Sequence, residues 1–297
     1  MTKKKNILFI INPISGVGKQ KIVEKAIEQY LDEELFDYSI AYTEYAGHAK
    51  EITKENKKEY EIIVAVGGDG SVNEVGSQLI HCETSMGIIP TGSGNGLARH
   101  LKIPLKIKNA IQNLNQSRID KIDTIQANDT IYLNMAGIGF DAHIAHLFDN
   151  YGKRGFISYI KIIAKEFFKY QNKEYHLQTS EKEINTKAFI ISLANSTQYG
   201  NNGHIAPLAN IKDGLIDVCI VKKFPIYLFP FLAIHLFLKT AHKSKYITIL
   251  KTRQLTLSYK NDLQGHYDGE PTSYTTPVHF KILPASLKVM TGFGFSG

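Results

Sequence analysis

Gly67-Gly68-Asp69-Gly70 is the stretch of this 297-residue chain whose residue types speak most directly of chemistry. It follows the apolar run Val64-Ala65-Val66 and leads into Ser71-Val72-Asn73-Glu74-Val75. Glycines at a strand-to-helix turn admit positive φ and let a ligand approach the backbone. The amides opening the next helix, with its dipole, favour an anion. Asp69 can hold a cation beside that anion. The pattern describes a site for a phosphate and its metal.

Two further turns share this character. Asn12-Pro13-Ile14-Ser15-Gly16-Val17-Gly18-Lys19 offers polar turn residues, two glycines and a lysine. It is not a Walker A loop, because Pro13 stands where the first glycine is required and Gln20 follows Lys19. Nor is it a dinucleotide fingerprint, because Lys21 takes the third glycine position counted from Gly16. Pro90-Thr91-Gly92-Ser93-Gly94-Asn95-Gly96-Leu97-Ala98-Arg99 is the third turn. In open α/β sheets ligands sit beyond the carboxyl ends of the strands, where all three turns would lie. The bland alternative is three glycine-rich connections that serve packing alone.

In this order and spacing, Asn-Pro-x-Ser-Gly, Gly-Gly-Asp-Gly-Ser-x-Asn-Glu and Pro-x-Gly-Ser-x-Asn-x-x-Ala-Arg resemble the catalytic domain of the diacylglycerol kinase and sphingosine kinase superfamily. The bacterial soluble lipid kinase branch is the best match. The resemblance continues through Asn134–Ala142 and Asp213–Val218 and ends at Tyr267-Asp268-Gly269-Glu270, nearly the whole chain. It implies an α/β N-terminal domain like those of NAD kinases and 6-phosphofructokinases, an all-β sandwich after it, and an ATP site in the cleft. It implies nucleotide contacts from Asn12, Pro13, Ile14, Ser15 and Gly16, from Thr43, from Gly68, Asp69, Gly70, Ser71, Val72, Asn73 and Glu74, and from Ser93. Ser71 and Ser93 stand where the family usually has threonine, and both keep the hydroxyl.

Glu270 matches the family's general base, which takes the proton of a lipid hydroxyl as it attacks the γ-phosphate. Read alone, it is a solvated turn carboxylate. Asp69 would help position the Mg²⁺ carried by ATP, and Lys19 or Arg99 could offset phosphate charge. Asn210, Asp213 and the carbonyl of Leu215 match a second, structural Mg²⁺ site, with a metal-free turn as the alternative. The implied activity is ATP-dependent phosphorylation of a lipid hydroxyl, diacylglycerol to phosphatidic acid. A sphingoid base is the next candidate; its amine would want a carboxylate near Glu270, for which Asp141 is one option. NAD kinase shares the Gly-Gly-Asp-Gly turn, but the opening Asn-Pro-x-Ser-Gly and the late Asp-Gly-Glu weigh against it. A non-catalytic lipid-binding protein would not need Asp69, Asn73 and Glu270 together.

Other residues invite plainer readings. His143 and His146 lie on neighbouring helix positions near Asp141 and Asp149, but lack a full zinc ligand set, so a solvated helix face is expected. His266 reads as a surface residue. The apolar run 224–238 precedes Lys239, His242, Lys243 and Lys245. Such a run can dock on an anionic membrane or pack as a helix on the β domain.

The elements that must position these residues change character along the chain. Up to about residue 125, strands at 7–11, 38–43, 62–66 and 87–89 alternate with helices, including 48–58, 71–80 and 94–101, as in a mostly parallel sheet. Beyond it, strands dominate: 130–135, 175–179, 188–193, 215–221, 246–250, 255–259, 278–283 and 287–290. Helical insertions near 157–170 and 227–240 interrupt them. The expected domains are 1–125, nucleotide-binding, and 126–297, a lipid-substrate sandwich whose last residues can return to the first domain. The formal charge of +7 favours anionic partners. No base-reading basic helix or RNA-recognition motif appears, so nucleic acid is not expected. Cys82 and Cys219 form no metal or CxxC spacing. No signal or spanning segment stands out, which places the protein in the cytoplasm, peripheral to the inner face of the membrane. A homodimer is left open.

Overall fold

The computed structural model describes residues 3–15, 20–149 and 156–296. The chain forms two units, one of residues 1–124 and 284–297 and the other of residues 125–283. In the first, β1 (Lys5–Ile11), α1 (Gln20–Tyr30), β2 (Phe36–Tyr42), α2 (His48–Asn56), β3 (Ile62–Gly67), α3 (Asp69–Gln78) and β4 (Ser85–Pro90) alternate in sequence. α4 (Gly96–His100), α5 (Ile107–Gln116) and β5 (Ile119–Ala127) follow. The strand order is β2-β1-β3-β4, all parallel, and the end of the chain's last strand adds Val289 beside Met86. β1 and β3 are buried on both faces along Ile7–Ile11 and Ile62–Val66, which is why their sequences run apolar without alternation. Each such Ile or Val contributes about 1.5–3 kcal/mol on burial. Because β2 lies on one side of β1 and β3 on the other, the turns after β1 and β3 flank a topological switch point.

The second unit is a sandwich of antiparallel sheets. Its elements are β6 (Thr130–Tyr132), β7 (Met135–Gly139), α6 (Phe140–Asp149), α7 (Phe156–Lys169), β8 (Lys173–Thr179), β9 (Glu183–Ala188), β10 (Ile190–Ala194) and β11 (Ile216–Val221). Then come α8 (Phe229–Phe237), β12 (Ile247–Thr252), β13 (Gln254–Ser258), β14 (Leu263–Tyr267), β15 (Glu270–Tyr274) and β16 (Val278–Met290). One sheet has the order β12-β11-β10-β7-β14-β15; the other joins β13 to β8 and to the first half of β16, with β9 beyond β8. β11 shows the logic: Ile216, Val218 and Ile220 enter the core between the sheets, while Cys219 and Val221 face a second apolar cluster that includes Phe140, Ile144, Ile162 and Phe167 of α6 and α7.

Several elements depart from the sequence expectation for identifiable reasons. The expected strand 130–135 is two, because the amides of Leu133, Asn134 and Met135 turn to the carboxylate of Asp268. The expected 188–193 breaks at Phe189, whose N–H donates to Val221 O and whose carbonyl accepts from Phe140 N. The pieces 278–283 and 287–290 are one strand, carried through Ala285 at φ 47° by a bond from its amide to Asp123. α3 begins at Asp69, two residues before the expected start, and α5 was not foreseen.

Candidate active site

Parallel pairing lines up the three glycine-rich turns. The N–H of Thr43 donates to Ile11 O, that of Asn12 to Val66 O, and that of Thr91 to Gly67 O. The expected contact residues at the ends of β1, β2, β3 and β4 therefore form one row. Side chains then tie turn to turn. Asn12 Nδ2 donates to Ser71 Oγ at 3.1 Å, while its Oδ1 accepts from the amides of Ile14 and Ser15. Ser15 Oγ and Thr91 Oγ1 share a hydrogen bond of 3.0 Å. Asp69 accepts from the amides of Asn95 and Gly96, each at 2.8 Å. At Gly92 a Cβ would lie 2.6 Å from Gly68 Cα, so only glycine permits this approach of two backbones. With Gly68 as its N-cap, α3 opens its first turn on this row, a place suited to phosphate oxygens. Arg99 Nε is bonded to Gly94 O, on the third turn. Ile14 and Ser93 are exposed, and Pro13, Gly68 and Gly70 are partly so. Gly16 and Lys19 lie outside the described residues.

Some expected contacts have other duties. Val72 is buried and its amide is spent on Gly68 O, so neither its side chain nor its N–H is open to a ligand. Asn73 is buried as well. Glu74 accepts from the amides of Gly47 and Ala49 and so caps α2; a carboxylate there holds the fold and would repel phosphate. Asp69 latches the third turn to the second, a role that metal ligation would compete with.

In the second unit, Asp268 (φ 47°) and Gly269 (φ 89°) form a two-residue left-handed turn joining β14 to β15. Asp268 is buried, and its carboxylate takes the amides of Leu133 (2.8 Å), Asn134 (2.9 Å) and Met135 (3.0 Å). Charge-assisted bonds of this kind are the strong ones. They pin the turn so that Glu270, the first residue of β15 and exposed, projects from a rigid support.

Comparison with known proteins decides what these parts belong to. Residues 6–127 match the model of the diacylglycerol kinase catalytic domain, and residues 134–291 that of the YegS C-terminal NAD kinase beta sandwich-like domain. The chain belongs to this lipid kinase family. It is similar to the probable lipid kinase YegS of Escherichia fergusonii, 27% identical over 95% of this chain and 94% of that one. It is also similar to a probable lipid kinase YegS-like protein of Yersinia pestis, 28% identical over 90% of each. A solved structure described as a diacylglycerol kinase from Bacillus anthracis superposes with a TM-score of 0.76 at 19% identity, over 100% of both chains. Another from that organism, described as a putative diacylglycerol kinase, gives 0.82 at 22%, also over 100% of both. At these identities the superpositions establish the fold.

Within this lipid kinase, the residues expected to hold a structural Mg²⁺ do not fit one as arranged. Asn210 Oδ1 accepts from Lys212 N, and Asp213 Oδ1 from Leu215 N. Asp213 Oδ2 takes the ammonium of Lys251 at 2.7 Å, which also lies 3.3 Å from Asp217 Oδ2 and donates to Leu208 O. A side-chain cation already stands among the acceptors. Burial pushes the Asp217 carboxyl up to about 6, against the pull of Lys251. Burial works to lower the pKa of Lys251, but Asp213 and Asp217 hold it above the ordinary lysine range. Among the described residues no group of three His, Cys, Asp or Glu is placed to hold a metal.

The histidines also differ from expectation. His143 bonds Glu166 at 3.0 Å, and that bond holds Glu166 below the usual carboxylate range. His146 reaches the carbonyls of Gly265 and Thr272, fastening α6 to the β14–β15 hairpin. His266 is buried, 3.1 Å from Asp141, whose same oxygen accepts from Tyr199 at 3.0 Å. Asp141 thus already has two side-chain partners. Sequence reasoning missed Asp268 as an anchor, although the fixed Asp-Gly spacing before Glu270 was its signal. It also missed an open cavity of about 920 Å³ lined by Lys169, Lys173, Lys187, Lys223 and Lys260 with Tyr170 and Tyr259, because these residues are scattered along the chain.

Proposed function

We propose that this chain transfers the γ-phosphoryl group of ATP to a lipid hydroxyl, and that diacylglycerol is the acceptor. The observation that carries the reading is the row of three interlocked turns at the carboxyl ends of β1, β3 and β4. It sets the first turn of α3 and the hydroxyls of Ser15, Ser71, Thr91 and Ser93 along one edge of the sheet. The nucleotide enters with its own Mg²⁺ as substrate. As the acceptor oxygen bonds to the γ-phosphorus, the bond to the β–γ bridging oxygen breaks and ADP departs. Glu270 receives the hydroxyl proton late in that step. Its support by Asp268 serves alignment, the main thing such a site must supply.

The acceptor assignment draws on Asp141. A sphingoid amine would call for a carboxylate without a partner, and this one is held by His266 and Tyr199. Diacylglycerol carries no cation and needs none. The test is transfer from γ-labelled ATP to a panel of diacylglycerol, sphingosine and NAD. Label in phosphatidic acid is expected. Label in sphingosine phosphate alone would replace the acceptor, and label in NADP would replace the lipid. ATP binding with no transfer would leave a lipid-binding module.

A further inference from the structure

The apolar run 224–238 folds with two faces, and only one is covered. Leu228, Leu232 and Leu236, four residues apart, pack with Ile226 against the apolar cluster beside α6 and α7. The opposite row is bare: Tyr227 is 72% exposed, Phe231 63%, Ile234 52% and Leu238 67%, a spacing of four, three and four residues. Phe237 beside it is 60% exposed. A helix apolar all round is normally buried on all sides. A contiguous exposed apolar stripe marks an interaction surface.

The charges around this stripe identify its partner. From Val218 to Asn261 the chain has no Asp or Glu and eight Lys or Arg. Lys222, Lys239, His242, Lys243 and Lys245 are exposed at the two ends of the helical segment. A protein interface usually carries a polar rim with both signs available for pairing. A second copy of this chain, docked face to face, would bring cation against cation. An anionic bilayer satisfies both features, since aromatic and leucine side chains enter the headgroup boundary while lysines meet the lipid charge. No helix among the described residues is long and apolar enough to cross a membrane, so the contact would lie in the surface.

We infer that the outer face of α8 and its flanking residues, from Tyr227 to Leu238, inserts into the interface of an anionic membrane. The inference stands on α8 and does not require phosphoryl transfer. It is tested by sedimentation of the full chain with vesicles of phosphatidylcholine alone or with phosphatidylglycerol. The chain is expected to sediment with the anionic vesicles at least about tenfold more tightly than with neutral ones. Phe231→Ser with Leu238→Ser should weaken that binding by about tenfold or more. Lys243→Glu with Lys245→Glu should weaken it and flatten its salt dependence. All variants should keep the wild-type ATP affinity and melting temperature, and Ile22→Ser, at an exposed apolar residue of the other unit, should bind vesicles as wild type. Wild-type protein that stays in the supernatant, or serine variants that sediment as wild type, would overturn the inference. So would a wild-type dimer that these serine variants dissociate, which would give the stripe to a second copy.

Discussion

Asp268 and Glu270 are two residues apart and both acidic, yet the first is buried on three backbone amides and the second is exposed, and substitution separates them. In Asp268→Asn the side chain keeps its shape but loses its charge. One oxygen can still accept from Asn134 and Met135, while the new NH₂ group meets the amide of Leu133, which Asp268 now accepts at 2.8 Å. One bond to a charged acceptor is lost, at about 1.5–3 kcal/mol, and two buried donors are set face to face. The total cost is about 2–4 kcal/mol, or a fall of roughly 5–15 °C in the melting temperature of a unit this size. Scanning calorimetry measures it. Glu270→Gln changes an exposed side chain and should move the same transition by no more than about 2 °C. An Asp268→Asn protein that melts with the wild type would refute the anchoring argument, and with it the claim that Glu270 stands on a fixed support.

Other perturbations test the remaining parts. Gly92→Ala must push the third turn off Gly68, and should raise the ATP dissociation constant by about tenfold or more in calorimetric titration. Wild-type stability without nucleotide should be indifferent to Mg²⁺ and EDTA, because Lys251 supplies the cation. Lys251→Met leaves Asp213 and Asp217 uncompensated, should cost about 2–4 kcal/mol, and should make the melting temperature rise with added Mg²⁺. Asp217 holds its proton more tightly folded (about 6) than in an ordinary setting (3.8), so the folded state binds more protons between those pH values. Stability should therefore fall as pH rises from about 4 to 6, with the full penalty above, and Asp217→Asn should flatten that slope in urea titrations.

Much of this was legible because it is local. A glycine turn after an apolar run reports a strand, a bend and a helix start in adjacent residues, and the three turns were found that way. What escaped depends on long-range pairing. That Glu74 caps α2, that Asp69 latches Asn95, or that Lys251 sits on Asp213 follows from register between strands and helices, which no short window contains. The buried state of His266 escaped for the same reason: its partner Asp141 lies on a helix 125 residues earlier. The split of strand 130–135 required knowing that Asp268 would claim its amides. Alternation on α8 could not separate covered from bare faces, since both are apolar.

Under the proposed function, Glu270 acts in transfer and not in nucleotide binding. The deciding measurement is label transfer from γ-labelled ATP to diacylglycerol by wild type and Glu270→Gln, with ATP affinity measured on the same preparations. Equal ATP affinity with transfer reduced by about a hundredfold or more is predicted. Transfer by Glu270→Gln at the wild-type rate would contradict it.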